Sequence, residues 1–183
     1  MKILAICSKS GVGKSTLIDK IATQLKRTTY VVRSLSTRKP RDEFDLFTHT
    51  FVSNRYYEAH KEDAISTYHA PQGYYNWTDA SCFDKEKINL YAIDSKAVKE
   101  ELYDKCKEYG WDLEIIYLKL PEEIRKERWI KREGSLDGFS EEEHLSIDYL
   151  INFYASLNVI DANTTLDNMV NETVEVIEQL LEK

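Results

Sequence analysis

The stretch Ser8-Lys9-Ser10-Gly11-Val12-Gly13-Lys14-Ser15 decides the fold of this chain of 183 residues. It follows residues 4–7, an apolar run that predicts a buried first strand, and it precedes residues 14–26, whose apolar side chains recur at helical spacing. A strand, a glycine turn and a helix in this order bring backbone N–H groups and the positive end of a helix dipole to one place. The stretch therefore predicts a binding site for phosphate groups.

The same stretch nearly matches the pattern G-x-x-x-x-G-K-[ST] of nucleotide-binding loops, with Ser8 in place of the first glycine. Glycine allows the backbone to approach phosphate oxygens closely, and a serine with a negative φ fits the first corner. We expect Lys14 to reach the β- and γ-phosphates and Ser15 to bind Mg²⁺ through its hydroxyl. The candidate ATP-binding residues of the loop are Ser10, Gly11, Val12, Gly13, Lys14 and Ser15.

Strands and helices alternate along the rest of the chain, which predicts an α/β fold with a parallel sheet covered on both faces. Further strands are predicted at residues 30–32, 88–93, 113–120 and 159–160. Helices are predicted at residues 96–109, closed by Gly110, then from Pro121 in the first turn, at residues 140–156, and over the apolar stripe between Leu166 and Leu181. The periodicity weakens before residue 88, which indicates an inserted lobe. We predict one domain, with a core of residues 1–33, 88–120 and 140–183, a lobe at about 34–87 and a lid at about 121–139.

Composition excludes several classes of protein. Hydrophobic residues make up 42% of the chain, too many for a disordered protein, and no apolar run is long enough for a membrane helix. The net charge of −7 argues against broad nucleic-acid binding. The three cysteines fit no zinc spacing and are typical of reduced thiols, and the start of the chain does not resemble a signal peptide. We therefore expect a cytoplasmic protein that binds neither membranes nor nucleic acids stably.

A second basic segment follows the second predicted strand, where Arg38 and Arg41 flank Pro40. Guanidinium groups bind phosphate oxygens in pairs, although most such runs are solvated basic loops. Taken with the phosphate loop, the segment Ser34-Leu35-Ser36-Thr37-Arg38-Lys39-Pro40-Arg41 makes the chain resemble the guanylate kinase family of nucleoside monophosphate kinases. The resemblance spans most of the chain; it is specific at residues 10–15 and 34–41 and loose elsewhere.

The resemblance implies a three-layer P-loop fold with a core, a small inserted lobe that binds the nucleoside monophosphate (NMP), and a mobile lid. It implies ATP as donor, Mg²⁺ as cofactor, a small nucleotide as acceptor, and a monomer or homodimer. Ser34 would face the acceptor's base, while Asp94 would bind near the acceptor and orient Mg²⁺ together with Ser15. The residues expected to hold the acceptor's phosphate are Arg38, Arg41 and Tyr75, and a late V-N-x-x-L-like motif places Asn163 on the ATP side.

The predicted lid helix carries arginines on one face. Arg125, Arg128 and Arg132 share that face, and the last two have no acid three or four positions away. Glu122 and Lys126 are expected to form an i,i+4 pair on the solvent side. Unpaired arginines suit a lid that neutralises charge on a transferring phosphoryl group, although a basic surface stripe is the alternative. The candidate catalytic residues are Lys14, Arg38, Arg128 and Arg132.

Two positions depart from the family pattern. After the lid, Glu143-His144 stands where the family usually has an arginine, whose role could pass to His144 or Lys131. Ser66 stands where the family has the carboxylate that reads guanine, and a hydroxyl cannot accept two N–H bonds as a carboxylate does. Glu62 or Asp63 are the candidate replacements, and Trp77 or Tyr68 could stack on a base.

The sequence therefore predicts a kinase that transfers the γ-phosphate of ATP to GMP, dGMP or a related (deoxy)nucleoside monophosphate. Two alternatives stay open. One is a kinase of another phosphorylated small molecule that uses the same two phosphate sites. The other is an inactive interaction module of the same fold, which would have no need of Lys14, Ser15 and the basic segment.

Overall fold

The structure, a computed structural model, describes residues 1–40, 45–70, 73–139, 150, 154 and 157–183. The strands within these ranges are β1 (Lys2–Cys7), β2 (Thr29–Val31), β3 (Ser34–Ser36), β4 (His49–Phe51), β5 (Ser66–His69), β6 (Tyr75–Thr78), β7 (Ile88–Ala92), β8 (Asp112–Lys119) and β9 (Leu157–Asp161). The main sheet is parallel, in the order β2-β7-β1-β8-β9. Its central strand β1 is almost wholly buried, as expected when helices cover both faces. The predicted α/β fold with a parallel sheet is confirmed.

Helices flank this sheet on both sides. They are α1 (Lys14–Gln24), α2 (Asp45–Thr48), α3 (Asn54–His60), α4 (Ser95–Ala97), α5 (Tyr103–Tyr109), α6 (Glu122–Glu133) and α7 (Leu166–Glu182), with a π-helical segment Val98–Leu102 between α4 and α5 and 3₁₀ turns at Lys61–Asp63 and Ala80–Cys82. Alternate residues of β1 face opposite layers. Leu4 packs in one hydrophobic cluster with Ile18 of α1 and Ile177 of α7. Ala5 packs in the other, with Leu102 beside α5. The result is a three-layer core.

A second sheet occupies the chain between β2 and β7, in the order β4-β3-β6-β5. β3 pairs with β4 in parallel, and both β3 and β5 pair with β6 in antiparallel fashion. Tyr57 and the fully buried Trp77 of this sheet's layer belong to the same hydrophobic cluster as Ala5. The small sheet therefore packs against the core beside the carboxyl end of β1.

Helix boundaries differ from the sequence predictions in two places. The predicted helix 96–109 begins at Ser95, where the Asp94 carboxylate caps it by accepting from Lys96 N at 2.8 Å, and Gly110 closes it with a φ of 64°. Pro121 lies at the N-cap of α6 and not in its first turn, which corrects the prediction. The predicted helix 140–156 lies largely outside the described residues.

The three cysteines, Cys7, Cys82 and Cys106, are buried free thiols. No group of three or more metal-ligating side chains of the His, Cys, Asp or Glu type occurs within the described ranges. No helix in these ranges has both the length and the apolar character needed to cross a membrane.

Candidate active site

The phosphate loop connects the buried end of β1 to the first residue of α1. Gly11 has a φ of 85° and Gly13 a φ of 117°, both in the left-handed region that favours glycine. Gly13 is also the N-cap of α1, so no side chain caps the first N–H groups of that helix. The N–H groups at the start of a helix, beside left-handed glycines, form a concave anion site. The local geometry agrees with the residue pattern from which a phosphate site was predicted.

Lys14 folds back across this loop. Its Nζ donates to Ser8 O at 2.8 Å and to Ser8 Oγ at 3.0 Å. The Ser8 hydroxyl in turn donates to Lys9 O at 2.9 Å. The serine that replaces the first glycine of the pattern therefore supplies two of the oxygens that hold the lysine amine over the loop.

Two cavities meet at the phosphate loop. The small cavity, of about 400 Å³, lies between the loop, the second sheet and the end of β7. The large cavity, of about 910 Å³, lies between the loop, α6 and the start of α7. The residues that line both are Ser10, Lys14, Ser15, Thr48 and His49. Groups bound in the two cavities would therefore approach each other next to Lys14.

Ser34 and Asp94 line the small cavity, where the sequence placed the acceptor. Tyr75 does not. Its ring is stacked between Tyr57, with ring centroids 4.0 Å apart, and His69, with centroids 4.6 Å apart. The preceding residue, Tyr74, lines the cavity instead. Successive side chains of an extended chain face opposite sides. Tyr74 and Tyr75 therefore face opposite ways, and only Tyr74 faces the cavity. Tyr75 is therefore outside the lining of the small cavity, and its contact with the acceptor's phosphate stays a prediction.

Arg38 is also directed elsewhere. Its Nη1 and Nη2 donate to Asp45 Oδ2 at 2.6 Å and to Asp45 Oδ1 at 2.8 Å, and its guanidinium lies over the ring of Phe51. Arg38 lines neither cavity, whereas Asp45 lines the large one. Arg38 thus forms a buried ion pair, and its contact with the acceptor's phosphate stays a prediction. Arg41 lies outside the described residues.

The inner end of the small cavity carries hydroxyl groups. The Tyr91 hydroxyl is 3.1 Å from Ser66 Oγ and 2.8 Å from Thr78 Oγ1. Burial raises the pKa of Tyr91 to about 12, although its hydroxyl partners oppose the shift. The sequence pattern did not identify Tyr91 as a site residue, because it lies in an apolar run that predicts only a buried strand.

Of the residues predicted to recognise the base, some line the small cavity and others do not. Ser66, Tyr68 and Trp77 line the small cavity. Glu62 and Asp63 lie exposed on a 3₁₀ turn and are not in its lining, so the proposed replacement of the missing carboxylate by either is corrected.

The lid arginines contact the phosphate loop or a neighbouring acid. Arg128 donates to Val12 O at 2.8 Å and to Ala162 O at 3.1 Å. Arg132 donates to Glu133 at 2.6 Å and stacks on Trp129, so its acidic partner is the adjacent residue, which the three- and four-residue helical spacing does not consider. Both arginines line the large cavity.

Asn163, predicted on the ATP side, is exposed and is not in the lining of the large cavity. Its N–H donates to Asp161 Oδ1 at 2.8 Å. The next residue, Thr164, lines the large cavity. The ATP contact of Asn163 therefore stays a prediction.

Sequence reasoning missed the role of Arg125, although it noted that this arginine shares a face with Arg128. The Arg125 side chain is fully buried and bonds Glu122 through Nε and Nη2. Lys9 of the phosphate loop donates to the same carboxylate at 3.3 Å. Hydrogen bonds from Arg125 lower the pKa of Glu122, with a further contribution from Lys9. The expected partner of Glu122, Lys126, is thus replaced by two cations that face the loop.

Comparison with known proteins establishes the fold. No protein-family model matches the sequence, and no curated protein matches it at a significant level. The structure is similar to that of guanylate kinase from Anaplasma phagocytophilum, with a TM-score of 0.62 and 15% identity over 97% of this chain and 85% of that chain. It is also similar to a gluconokinase from Sinorhizobium meliloti 1021, with a TM-score of 0.49 and 16% identity over 99% of this chain and 94% of that chain; this likeness is too distant to carry an argument. The predicted resemblance to guanylate kinases is confirmed at the level of the P-loop fold.

Proposed function

We propose that this protein transfers the γ-phosphate of ATP to GMP, dGMP or a related (deoxy)nucleoside monophosphate. The observation that carries the proposal is the meeting of two cavities at Lys14 and Ser15, with the anion-binding loop between them. A kinase needs separate donor and acceptor sites whose phosphates converge in line, because its catalysis consists mostly of positioning and charge neutralisation.

The donor belongs in the large cavity. The loop glycines, Arg128 and Arg132 line it, so N–H groups and two guanidinium groups surround the space for a triphosphate. Lys14 would exchange its bonds to Ser8 for phosphate oxygens. An oxygen of the acceptor's phosphate would then attack the γ-phosphorus, the bond to the β–γ bridging oxygen would break, and ADP would leave.

Ser15 and Asp94 both line the small cavity and supply a hydroxyl and a carboxylate, the oxygen ligands that Mg²⁺ prefers. The residues present therefore fit this ion, with the remaining ligands coming from phosphates and water. Bound Mg²⁺ would neutralise charge on the β- and γ-phosphates.

The acceptor belongs in the small cavity, with its phosphate toward Lys14 and His49 and its base toward the hydroxyl group of Tyr91 and its partners. Described residues of that inner end offer hydroxyl and amide groups, from Ser34, Ser66, Tyr91 and Asn76, and no carboxylate. A hydroxyl both donates and accepts, so it discriminates between bases less sharply than a carboxylate does. This supports an acceptor range wider than GMP alone.

The decisive experiment measures release of ADP from Mg·ATP with a panel of ribo- and deoxynucleoside monophosphates. We expect acceptor-dependent release with more than one monophosphate, and its loss in Lys14→Ala. Lys26→Ala, an exposed lysine beyond the end of α1, is the matched control and should behave as wild type. Release with only a non-nucleotide phosphate ester would favour the kinase of another small molecule. No acceptor-dependent release, or release that survives in Lys14→Ala, would contradict the proposal.

A further inference from the structure

Arg125 is a charged side chain with no exposed surface, and it lines neither cavity. The Cζ atom of its guanidinium lies 3.9 Å from the ring centroid of Phe139, and Nε and Nη2 donate to the Glu122 carboxylate. Burying a guanidinium is unfavourable unless it is paired, and Glu122 provides that pairing. A residue held in this way without reaching either cavity can act on ligands only through its neighbours.

One of those neighbours is the phosphate loop itself. Arg125 Nη1 donates to Ser10 O at 3.2 Å, and Arg128 Nη1 donates to Val12 O at 2.8 Å. Both carbonyls therefore point toward α6. In a planar trans peptide the N–H points opposite to the carbonyl, so the Gly11 N–H is directed away from the buried Arg125 guanidinium, and Gly11 and Gly13 both line the large cavity. These are the two glycines with left-handed φ.

The packing of α6 leaves little freedom for this arrangement to shift. A Cβ added to Gly11 would lie 3.7 Å from the Trp129 ring and 3.9 Å from Arg125 Cγ, so the helix is in van der Waals contact with the loop. Lys9, at the start of the loop, joins the same network through Glu122. The loop is thus fastened to α6 before and at its first glycine.

We infer that Arg125 is a positioning residue of the phosphate loop, which sets the Ser10–Gly11 peptide plane so that its N–H faces the phosphates of the donor nucleotide. The inference rests on the proposed function, since it takes the donor to bind at this loop. Arg128 holds the Val12–Gly13 peptide in the same way, through the Val12 carbonyl, and it also lines the large cavity. Arg125 is the cleaner test because it cannot contact the donor directly.

The test compares Arg125→Lys, which keeps the charge but loses the forked geometry, with Arg125→Met, which keeps only the apolar stem. Glu122→Gln tests the same effect in a second way, because it keeps Arg125 but replaces the carboxylate that holds the guanidinium with a neutral amide. Arg27→Lys, an exposed arginine after α1, is the matched control. For each variant, the Kd of Mg·ADP is measured by calorimetry, the KM values of ATP and of the acceptor are measured separately, and unfolding is followed in urea.

We expect Arg125→Lys to lower kcat/KM for ATP by on the order of 100-fold, as displacement of a positioning group does, and to weaken Mg·ADP binding. The KM of the acceptor should stay near the wild-type value, because Gly11 and Gly13 do not line the small cavity. Glu122→Gln should change the same quantities in the same direction by less, and Arg27→Lys should change none.

Three results would overturn the inference in distinguishable ways. If wild type binds Mg·ADP and Arg125→Lys binds it equally well, Arg125 does not position the loop and the proposed function stands. If the KM values of ATP and acceptor rise together with a loss of stability, the residue supports the fold in general. If wild type binds no adenine nucleotide, the proposed function fails and the inference fails with it.

Discussion

Arg38 and Asp45 form a bidentate ion pair, with Nη1–Oδ2 at 2.6 Å and Nη2–Oδ1 at 2.8 Å, and both side chains are more than nine-tenths buried. The pair joins the turn after β3 to the start of α2. It therefore holds in place the short helix whose last residue, Thr48, reaches the junction of the two cavities.

We expect Arg38→Met to lower the free energy of unfolding by about 3 kcal/mol, because it leaves the Asp45 carboxylate buried without its partner. The double variant Arg38→Met/Asp45→Leu should recover much of that loss, since both charges are then removed. Urea unfolding of the two single variants and the double variant measures the coupling. A rise in acceptor KM at unchanged stability would instead show that Arg38 serves the acceptor's phosphate.

The tyrosine pair before and in β6 offers an internal control. Tyr74→Phe should raise the KM of the acceptor, because Tyr74 lines the small cavity and its hydroxyl is lost. Tyr75→Phe keeps the ring that stacks on Tyr57 and His69 and should leave both KM and stability close to wild type. Steady-state kinetics of the two variants decides between them. The reverse result would return the role to Tyr75.

The phosphate loop and the sheet could be predicted because their signals are local. A buried strand, a glycine turn and the beginning of a helix lie within a few residues of one another. The apolar run of β1 indicates that both faces of this strand are covered. The partner of Arg38 could not be predicted, because Asp45 meets it only after the chain turns back through α2. Which of Tyr74 and Tyr75 faces the cavity depends on the strand's exact register, which a weakly patterned lobe does not fix.

The contacts of α6 show the same limit. Helical spacing predicted an ion pair between Glu122 and Lys126, because oppositely charged residues four positions apart pair on isolated helices. Here the carboxylate meets the forked guanidinium of Arg125 and the amine of Lys9. The burial of Arg125 depends on Phe139 and on the loop packed against it, and neither is visible from the helix sequence alone.

Alkaline pH should destabilise the fold through buried thiols and a phenol. Burial raises the pKa of Cys7 from 9.0 to about 12, partly opposed by Lys14, and the pKa values of Cys106 and Tyr91 also rise to about 12. The folded state then holds these protons more tightly than the unfolded chain. Their contribution to stability is complete below the unfolded pKa and is lost as pH rises toward the folded pKa, at about 1.4 kcal/mol per pH unit for each group.

The measurement is urea unfolding at a series of pH values from neutral to strongly alkaline. Wild type should show a nearly flat stability below the ordinary thiol pKa of 9.0 and a steep fall above it. Cys7→Ala removes one titrating group from the centre of the fold, so its stability should fall less steeply by about 1.4 kcal/mol per pH unit. Equal slopes in wild type and Cys7→Ala would show that this thiol does not stay protonated through burial.

The Tyr91 hydroxyl connects hydroxyl groups on two strands, β5 and β6, to the core strand β7. Tyr91→Phe removes a hydrogen-bonding centre and leaves the buried hydroxyls of Ser66 and Thr78 without this partner. We expect a loss of stability of about 2 kcal/mol, because an unsatisfied buried polar group carries a desolvation penalty of that order.

The same substitution should alter base selection more than catalysis. With Tyr91→Phe, we expect the kcat/KM ratio between the best and second-best monophosphate to fall by roughly tenfold, since a site that loses a hydrogen-bonding group loses discrimination. Binding of Mg·ADP should be unchanged, because Tyr91 does not line the large cavity. Tyr109→Phe, at an exposed tyrosine before Gly110, is the control for loss of a phenolic hydroxyl. An unchanged order and spread of acceptors in Tyr91→Phe would place base recognition elsewhere in the small cavity.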